Sequence, residues 1–246
     1  MRIIGIIPAR YASTRFPGKP LALINGKSMI RRVYEQAKAA SELQDVLVAT
    51  DDERIAAEIK SFGGKFVMTR NDHISGTDRC FEALCHQGSH FDAVINIQGD
   101  EPFIQPEQIN QVARLLQDGV TEVSTLAYQI TKNEELFSPN HVKVVFGANG
   151  RALYFSRHPI PYVRNGEPDL WLTQQAYYKH LGIYGYLSQS LEKITLMKPS
   201  VLEKAESLEQ LRWLENGLQI TVGITQTESV GIDTPDDLEK VLKLFQ

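Results

Sequence analysis

A doubly wound α/β domain, with a mostly parallel sheet covered by helices on both faces, is the fold that this 246-residue sequence predicts. Three observations carry the prediction. Apolar runs without polar alternation recur at Ile3-Ile4-Gly5-Ile6-Ile7, Val46-Leu47-Val48-Ala49 and Ala93-Val94-Ile95-Asn96-Ile97, as strands buried on both faces require. Between them lie segments whose apolar residues recur at helical spacing. Short polar loops such as Thr50-Asp51-Asp52 and Gln98-Gly99-Asp100-Glu101-Pro102 lead from each strand end into the next helix. The length suits one folding unit spanning residues 1–246.

The first run should be a central strand that Pro8 brings to an end, because proline has no N–H for a ladder. Residues 27–40 follow as a helix through Met29, Ile30, Val33 and Ala37. After the second strand, Asp51 or Asp52 is placed to cap a helix over 53–62. A short strand at 65–68, a helix near 78–87, the third apolar strand and a helix over 106–117 complete the regular half. In the second half, 123–130, 142–146 and 183–187 read as strands. Residues 156–174, rich in Pro, Arg and polar side chains, read as an excursion from the sheet and a dimer contact. Leu208, Leu211 and Leu214 mark a helix over 207–216 with Glu209 and Gln210 off its stripe. Residues 220–224 and 229–231 look strand-like, and Thr234-Pro235 opens the last helix, hydroxyl at the cap and proline at the first position.

The hydrophobic fraction of 42% and charged fraction of 23% are those of an ordinary soluble globular protein. A net charge of −4 argues against a broad nucleic-acid-binding face but leaves room for a local cationic pocket. Cys80 and Cys85, five apart in a helix, have neither metal-ligand nor disulfide spacing and are expected as buried or partly buried free thiols. The six histidines show no metal spacing either. The chain opens directly into strand sequence with no signal or membrane-spanning stretch, which points to a cytoplasmic location.

In doubly wound sheets ligands lie beyond the carboxyl ends of the strands, so the loops at 8–20, 50–52, 73–79 and 98–102 share one rim. The first holds Arg10, Arg15 and Lys19 with Ser13, Thr14 and the backbone around Gly18, a mixture of permanent charge and neutral donors suited to a triphosphate. By itself it reads equally as a solvated basic loop with a Pro17-Gly18 turn. It is no Walker loop, since Pro20 stands where Ser or Thr should ligate magnesium, and it has no dinucleotide fingerprint. The acidic Gln98–Pro102 loop decides between the readings: carboxylates at a strand end opposite a cationic loop suit a metal-bound nucleotide. Asp233 is a candidate second magnesium ligand or a helix start, and Ser75-Gly76-Thr77-Asp78-Arg79 either starts a helix or admits a nucleobase edge.

Taken in order, IIPARYASTRFPGKPL, ISGTDR, NIQGDEP, LYFSR, HLGIYGY, LEQLR and GIDTPDDL make the chain, from Ile3 to Leu244, resemble the 3-deoxy-manno-octulosonate cytidylyltransferases, or CMP-Kdo synthetases. The resemblance implies a Rossmann-like nucleotidyltransferase fold with a smaller sugar-binding and dimerisation excursion in the second half. It implies transfer of CMP from CTP to the acidic eight-carbon sugar Kdo with release of pyrophosphate, magnesium dependence, a homodimer, no nucleic acid or membrane partner, and a role in bacterial lipopolysaccharide synthesis. Position by position it assigns Arg10, Ser13, Thr14, Arg15 and Lys19 to the CTP phosphates. Pro8, Ala9, Ser75, Gly76, Thr77 and Arg79 go to the nucleoside side, Gln98 to the shared rim, and Asp100 and Asp233 to magnesium. Arg15, Lys19, Asp100 and Asp233 form the catalytic set, and Arg157, His180, Tyr184, Glu209 and Gln210 the sugar side. The alternatives are activation of another acidic sugar, such as 8-amino-Kdo or a nonulosonic acid, and a nucleotide-binding module without turnover.

Overall fold

The structure is a computed structural model that describes residues 1–12, 14–229 and 231–243. The chain begins with β1 (Ile3–Ala9) and a hairpin of β2 (Leu23–Ile24) and β3 (Lys27–Ser28). It continues through α1 (Met29–Lys38), β4 (Asp45–Thr50), α2 (Glu53–Ser61), β5 (Phe66–Met68), α3 (Gly76–Cys85), β6 (Ala93–Asn96) and α4 (Pro106–Leu115). β7 (Val123–Gln129), α5 (Asn133–Phe137), β8 (Lys143–Phe146), β9 (Ala152–Ser156) and α6 (Trp171–Gln174) come next. β10 (Tyr178–Leu187), α7 (Ser188–Thr195), α8 (Val201–Glu206), α9 (Glu209–Glu215), β11 (Ile220–Thr225) and α10 (Pro235–Lys243) complete it.

The main sheet runs in the order β11-β7-β10-β6-β1-β4-β5, with β8 and β9 attached beside β10. All neighbours on the main path are parallel except β10, which runs antiparallel to both β6 and β7. Along β1, Ile3 and Ile7 pack with α1 and α4 residues such as Val33 and Ile109. Ile4 and Ile6 pack on the opposite face with Cys80 and Ala83 of α3. That two-sided burial explains why β1 carries no polar alternation. No helix among the described residues is long and apolar enough to cross a membrane.

Several expectations need correction. Pro8 does not end β1: the register with β4 continues through Pro8↔Ala49 to Ala9↔Thr50. The Ile6 carbonyl accepts from Ile97 N–H, so the Pro8 nitrogen, two residues on, turns to the same side, where pairing with β6 has already stopped at Ile6↔Asn96. A missing donor costs nothing there. Residues 229 and 231 are not in a strand, and residue 230 lies outside the described residues. The strand expected over 183–187 extends back to Tyr178, and β9 fills the start of the predicted excursion, which then departs from the sheet. On α9, Gln210 is buried rather than off the packed stripe, as are Arg212 and Trp213. Cys80 is buried as expected, but Cys85 is exposed.

The tight stacking of β10 on its neighbours leaves no room for a side chain at Gly185: an added Cβ would lie 2.5 Å from Ser124 Oγ, 2.9 Å from Val112 Cγ1 and 3.0 Å from Ile95 Cδ1. Gly185→Ala is expected to lower unfolding stability by about 1–3 kcal/mol through overpacking, measured by urea denaturation.

Candidate active site

At the carboxyl ends of β1 and β6 lies a cleft of about 280 Å³, lined by Pro8, Ala9, Arg10, Thr14, Arg15, Lys19, His73, Ser75, Gly76, Arg79, Gln98, Gly99, Asp100 and Asp233 among others. The structure therefore gathers every described CTP candidate except Thr77, which is buried with its hydroxyl 3.0 Å from Glu209 Oε2. Ser13 lies outside the described residues.

The cationic loop is shaped locally. Gly18 adopts φ 73°, a left-handed conformation that glycine takes at little cost, and its N–H donates to the Tyr11 carbonyl at 2.9 Å. Pro20 sits inside the one-turn helix Lys19–Leu21 that follows, turning Lys19 into the cleft. The Tyr11 ring is in turn covered by the Arg54 guanidinium, 3.2 Å from its centroid. Asp52 holds Arg54, accepting from its backbone N–H and side chain, so the expected cap of α2 also braces the loop.

Inside the cleft the Lys19 ammonium donates to Asp100 Oδ2 at 2.7 Å and to Asp233 Oδ1 at 3.2 Å. Arg15 Nη2 donates to the same Asp233 oxygen at 3.1 Å. Lys19 is largely buried, whereas Asp233 is about half exposed. The two aspartates thus face one point, close enough for a single cation to bridge them. Asp233 is free for this because Thr234 does the capping: its hydroxyl accepts from Asp237 N–H and donates to the Asp237 carboxylate. The Ile232 N–H donates to the Asp100 carbonyl at 2.9 Å, tying the two acidic loops together. Close approach is needed at Gly99 as well, where a Cβ would stand 3.0 Å from the Pro8 carbonyl oxygen.

On the nucleoside side, Ser75 is the helix start that the sequence allowed: its hydroxyl accepts from Asp78 N–H at 3.1 Å. Gly76 lies against the Pro8 ring. Arg79 is buried, its guanidinium committed to Asp51 at 3.0 Å, Thr69 Oγ1 at 2.6 Å and the Arg70 carbonyl. It lines the cleft as an anchor between strand ends. Gln98 donates to the Gly182 carbonyl at 3.0 Å and so joins the rim to β10.

None of the sugar-side candidates lines this cleft. His180 and Tyr184 flank an irregularity in β10 between Leu181 and Tyr184, fixed by Thr125, whose hydroxyl meets His180 Nε2 and the Leu181 and Ile183 carbonyls. Such a bulge re-aims the side chains that follow it. Tyr184 packs edge-on against Trp213 at 4.9 Å between ring centroids. Burial pushes the His180 imidazole down to about 3 and the Tyr184 phenol well up, so both are neutral groups at neutral pH. Glu209 is pushed up by burial, offset in part by Thr77 and Arg212. Arg157 lies on a separate patch, its guanidinium donating to the Glu206, Pro139 and Ser207 carbonyls. Those bonds use three of its five N–H groups.

Asn96 and Trp213 escaped the sequence reading. Asn96 Oδ1, Tyr184 Oη and Trp213 Nε1 are buried with no hydrogen-bond partner among the described residues, and Asn96 is the register partner of Tyr184. Buried polar atoms without partners are uncommon in folded proteins. A signal did exist: asparagine interrupts the otherwise apolar Ala93-Val94-Ile95-Asn96-Ile97. His73, which also lines the cleft, is held by Glu82.

The profile of a family described as cytidylyltransferase matches residues 4–220. The chain is 55% identical over 246 residues to a 3-deoxy-manno-octulosonate cytidylyltransferase of Parabacteroides distasonis, covering 98% of this chain and 97% of the relative. It is 56% identical over 242 residues to one of Bacteroides thetaiotaomicron, covering 97% and 96%. Among solved structures it is similar to a CMP:2-keto-3-deoxy-manno-octonic acid synthetase complexed with CTP, with 43% identity, a TM-score of 0.92 and coverage of 100% and 98%. A 4-diphosphocytidyl-2C-methyl-D-erythritol synthase from Anaerococcus prevotii, at 13% identity and a TM-score of 0.64 over 100% and 96% of the two chains, shares the fold alone.

The low His180 value has a consequence for acid stability. Its imidazole takes up a proton on unfolding wherever the pH lies between about 3 and the ordinary 6.5, so its contribution is full above 6.5 and declines as pH falls through that window. His180→Phe should lose less melting temperature than the parent between pH 7.5 and pH 5, read by thermal denaturation at both values; an equal loss would exclude His180 as the titrating group.

Proposed function

The chain belongs to the 3-deoxy-manno-octulosonate cytidylyltransferase family, and from that premise we propose that the strand-end cleft binds CTP and that Arg15, Lys19, Asp100 and Asp233 carry the catalysis. The reaction joins CTP and Kdo into CMP-Kdo and releases pyrophosphate. The observation that carries the site assignment is the meeting of two cations and two carboxylates in one cleft, with Lys19 bonded to both acids.

The anomeric hydroxyl of the sugar attacks the α-phosphorus, giving up its proton to solvent water as the new P–O bond forms. The bond from that phosphorus to the bridging oxygen of the β-phosphate breaks, and pyrophosphate leaves on the opposite side. Little covalent work falls to the protein. Arg10, Thr14, Arg15 and Lys19 supply charge and donors to the phosphates, and Arg15 and Lys19 neutralise the charge that grows on the leaving group. Pro8, Ala9, Ser75 and Gly76 bound the nucleoside side, with Arg79 holding the strand ends around it. His180, Tyr184, Glu209 and Gln210, together with Asn96 and Trp213, form the sugar side as neutral or hydrogen-bonding groups. Arg157 has two N–H groups remaining for the sugar's carboxylate. The Thr77 to Glu209 hydrogen bond connects the two substrate sides.

Magnesium fits this donor set. Asp100 and Asp233 present hard oxygen donors to a common cation, here the Lys19 ammonium, and no cluster of three or more His, Cys, Asp or Glu side chains able to hold a metal occurs among the described residues. Two carboxylates completed by substrate phosphates are an ordinary magnesium environment. Bound there, the ion would supply Lewis-acid stabilisation of the phosphate oxygens and lower the pKa of the attacking hydroxyl. A cytoplasmic homodimer belongs to the same reading, with exposed Tyr162 and Leu170 of the excursion as contact residues that sedimentation analysis would test.

Pyrophosphate release from CTP and magnesium, measured separately with Kdo, 8-amino-Kdo and sialic acid, should be fastest with Kdo; preference for another acid changes the substrate, and silence with all three favours a binding module. Asp100→Ala and Asp233→Ala should each lower kcat by at least ~10²-fold with circular dichroism unchanged. Near-parental turnover in either removes that residue from the catalytic set.

A further inference from the structure

Asp233 stands eight residues beyond the end of β11, on a connecting segment that leads into α10. A carboxylate on such a segment needs fixing from outside it. The Thr227 carbonyl accepts from Gln108 of α4 at 3.1 Å, and the Ile232 N–H reaches the Asp100 carbonyl. Between these two backbone ties Ser229 hydrogen-bonds the Glu101 carboxyl, and Glu228 accepts from the ammonium of Lys179.

Lys179 has the features of a built anchor. It lies on β10, opposite Tyr128 of β7, at the rim where β7 ends. Its side chain is only 7% exposed. The ammonium also donates to Glu135 of α5 at 3.2 Å and lies 5.4 Å from the centroid of the Tyr128 ring. A lysine so buried is retained only when its charge is compensated, and here one of the two compensating acids belongs to the segment that carries Asp233. Lys179 does not line the strand-end cleft, although His180, assigned above to the sugar side, follows it on β10.

We propose that Lys179 is a positioning residue for Asp233: through Glu228 it fastens the β11–α10 segment to the sheet, so that the Asp233 carboxylate is held beside Asp100 when the metal-bound nucleotide arrives. The inference rests on the reading of Asp233 as a magnesium ligand. Partners that orient metal ligands from outside the coordination sphere typically change metal affinity by about 10- to 100-fold when removed. Glu135 offers an internal control, since it shares the same ammonium but does not belong to the segment.

The experiment is a titration of the full chain with Mn²⁺ alone, free ion read by electron paramagnetic resonance, alongside the magnesium concentration that half-saturates pyrophosphate release. The variants are Asp233→Ala, Glu228→Gln, Glu135→Gln and Lys179→Met. Glu228→Gln and Lys179→Met should weaken Mn²⁺ binding about 10-fold and raise the half-saturating magnesium by a similar factor, with Glu135→Gln close to the parent. Glu228 is 43% exposed, so its substitution spares the fold and decides the matter even where Lys179→Met does not fold. Parental Mn²⁺ affinity in Glu228→Gln beside weakened binding in Asp233→Ala overturns the inference. Equal weakening in Glu135→Gln overturns it too, by showing a general charge effect. Parental affinity in Asp233→Ala overturns the metal-ligand reading itself, and the positioning role falls with it.

Discussion

Two aspartates from distant parts of the chain converge on one lysine, and the arrangement of the rim follows from that charge compensation. Asp100 comes from the end of β6, Asp233 from the segment before α10, and Lys19 from the loop after β1. Two carboxylates brought this close repel one another in a partly shielded cleft unless a cation stands between them. The glycine turn at Gly18, the stacking of Arg54 on Tyr11 and the backbone tie from Ile232 to Asp100 all serve to deliver the three groups to one point. Under the proposed reading, Asp100 and Asp233 would hold a metal ion between them and Lys19 would be available to phosphate oxygens.

Most of the frame was legible because its signals are local. Apolar runs without polar alternation marked β1, β4 and β6, helical spacing marked α1 and α4, and Asp52 and Thr234 stand at helix starts as their short polar side chains suggest. The cationic loop and the acids were legible as residue types at strand ends. What stayed hidden depends on tertiary neighbours. Nothing in Tyr178–Leu187 announces that this strand enters between β6 and β7 with reversed direction, and the proline in β1 is tolerated only because the adjacent ladder stops short of it. Likewise Arg79 and Arg157 look alike in sequence as available cations. Their bonding to Asp51 and to backbone carbonyls appears only in three dimensions.

The two substrate sides differ in character. The strand-end cleft proposed for CTP is lined by charged groups, Arg10, Arg15, Lys19, Asp100 and Asp233 among them. The region around Tyr184 and Trp213 is aromatic and closely packed, with polar atoms that lack partners among the described residues. Under the proposed sugar-side role, a ligand unable to supply those hydrogen bonds would leave a buried donor or acceptor unpaired and bind less well. The hydrogen bond from Thr77 to Glu209 is a physical link between these environments.

The reversed strand in the middle of the sheet also sets an order of assembly on the ribosome. β1, β4, β5 and β6 are complete once the first ninety-six residues have emerged, and they pair among themselves. β7 is made soon afterwards, yet both its partners, β10 and β11, lie more than fifty residues further on. While the intervening chain is synthesised, β7 is a strand without its ladder partners, the kind of edge that invites association with other chains. Arrival of β10 closes that interval by joining the two halves in one step, so the nascent protein is most exposed to aggregation during synthesis of residues 130–187.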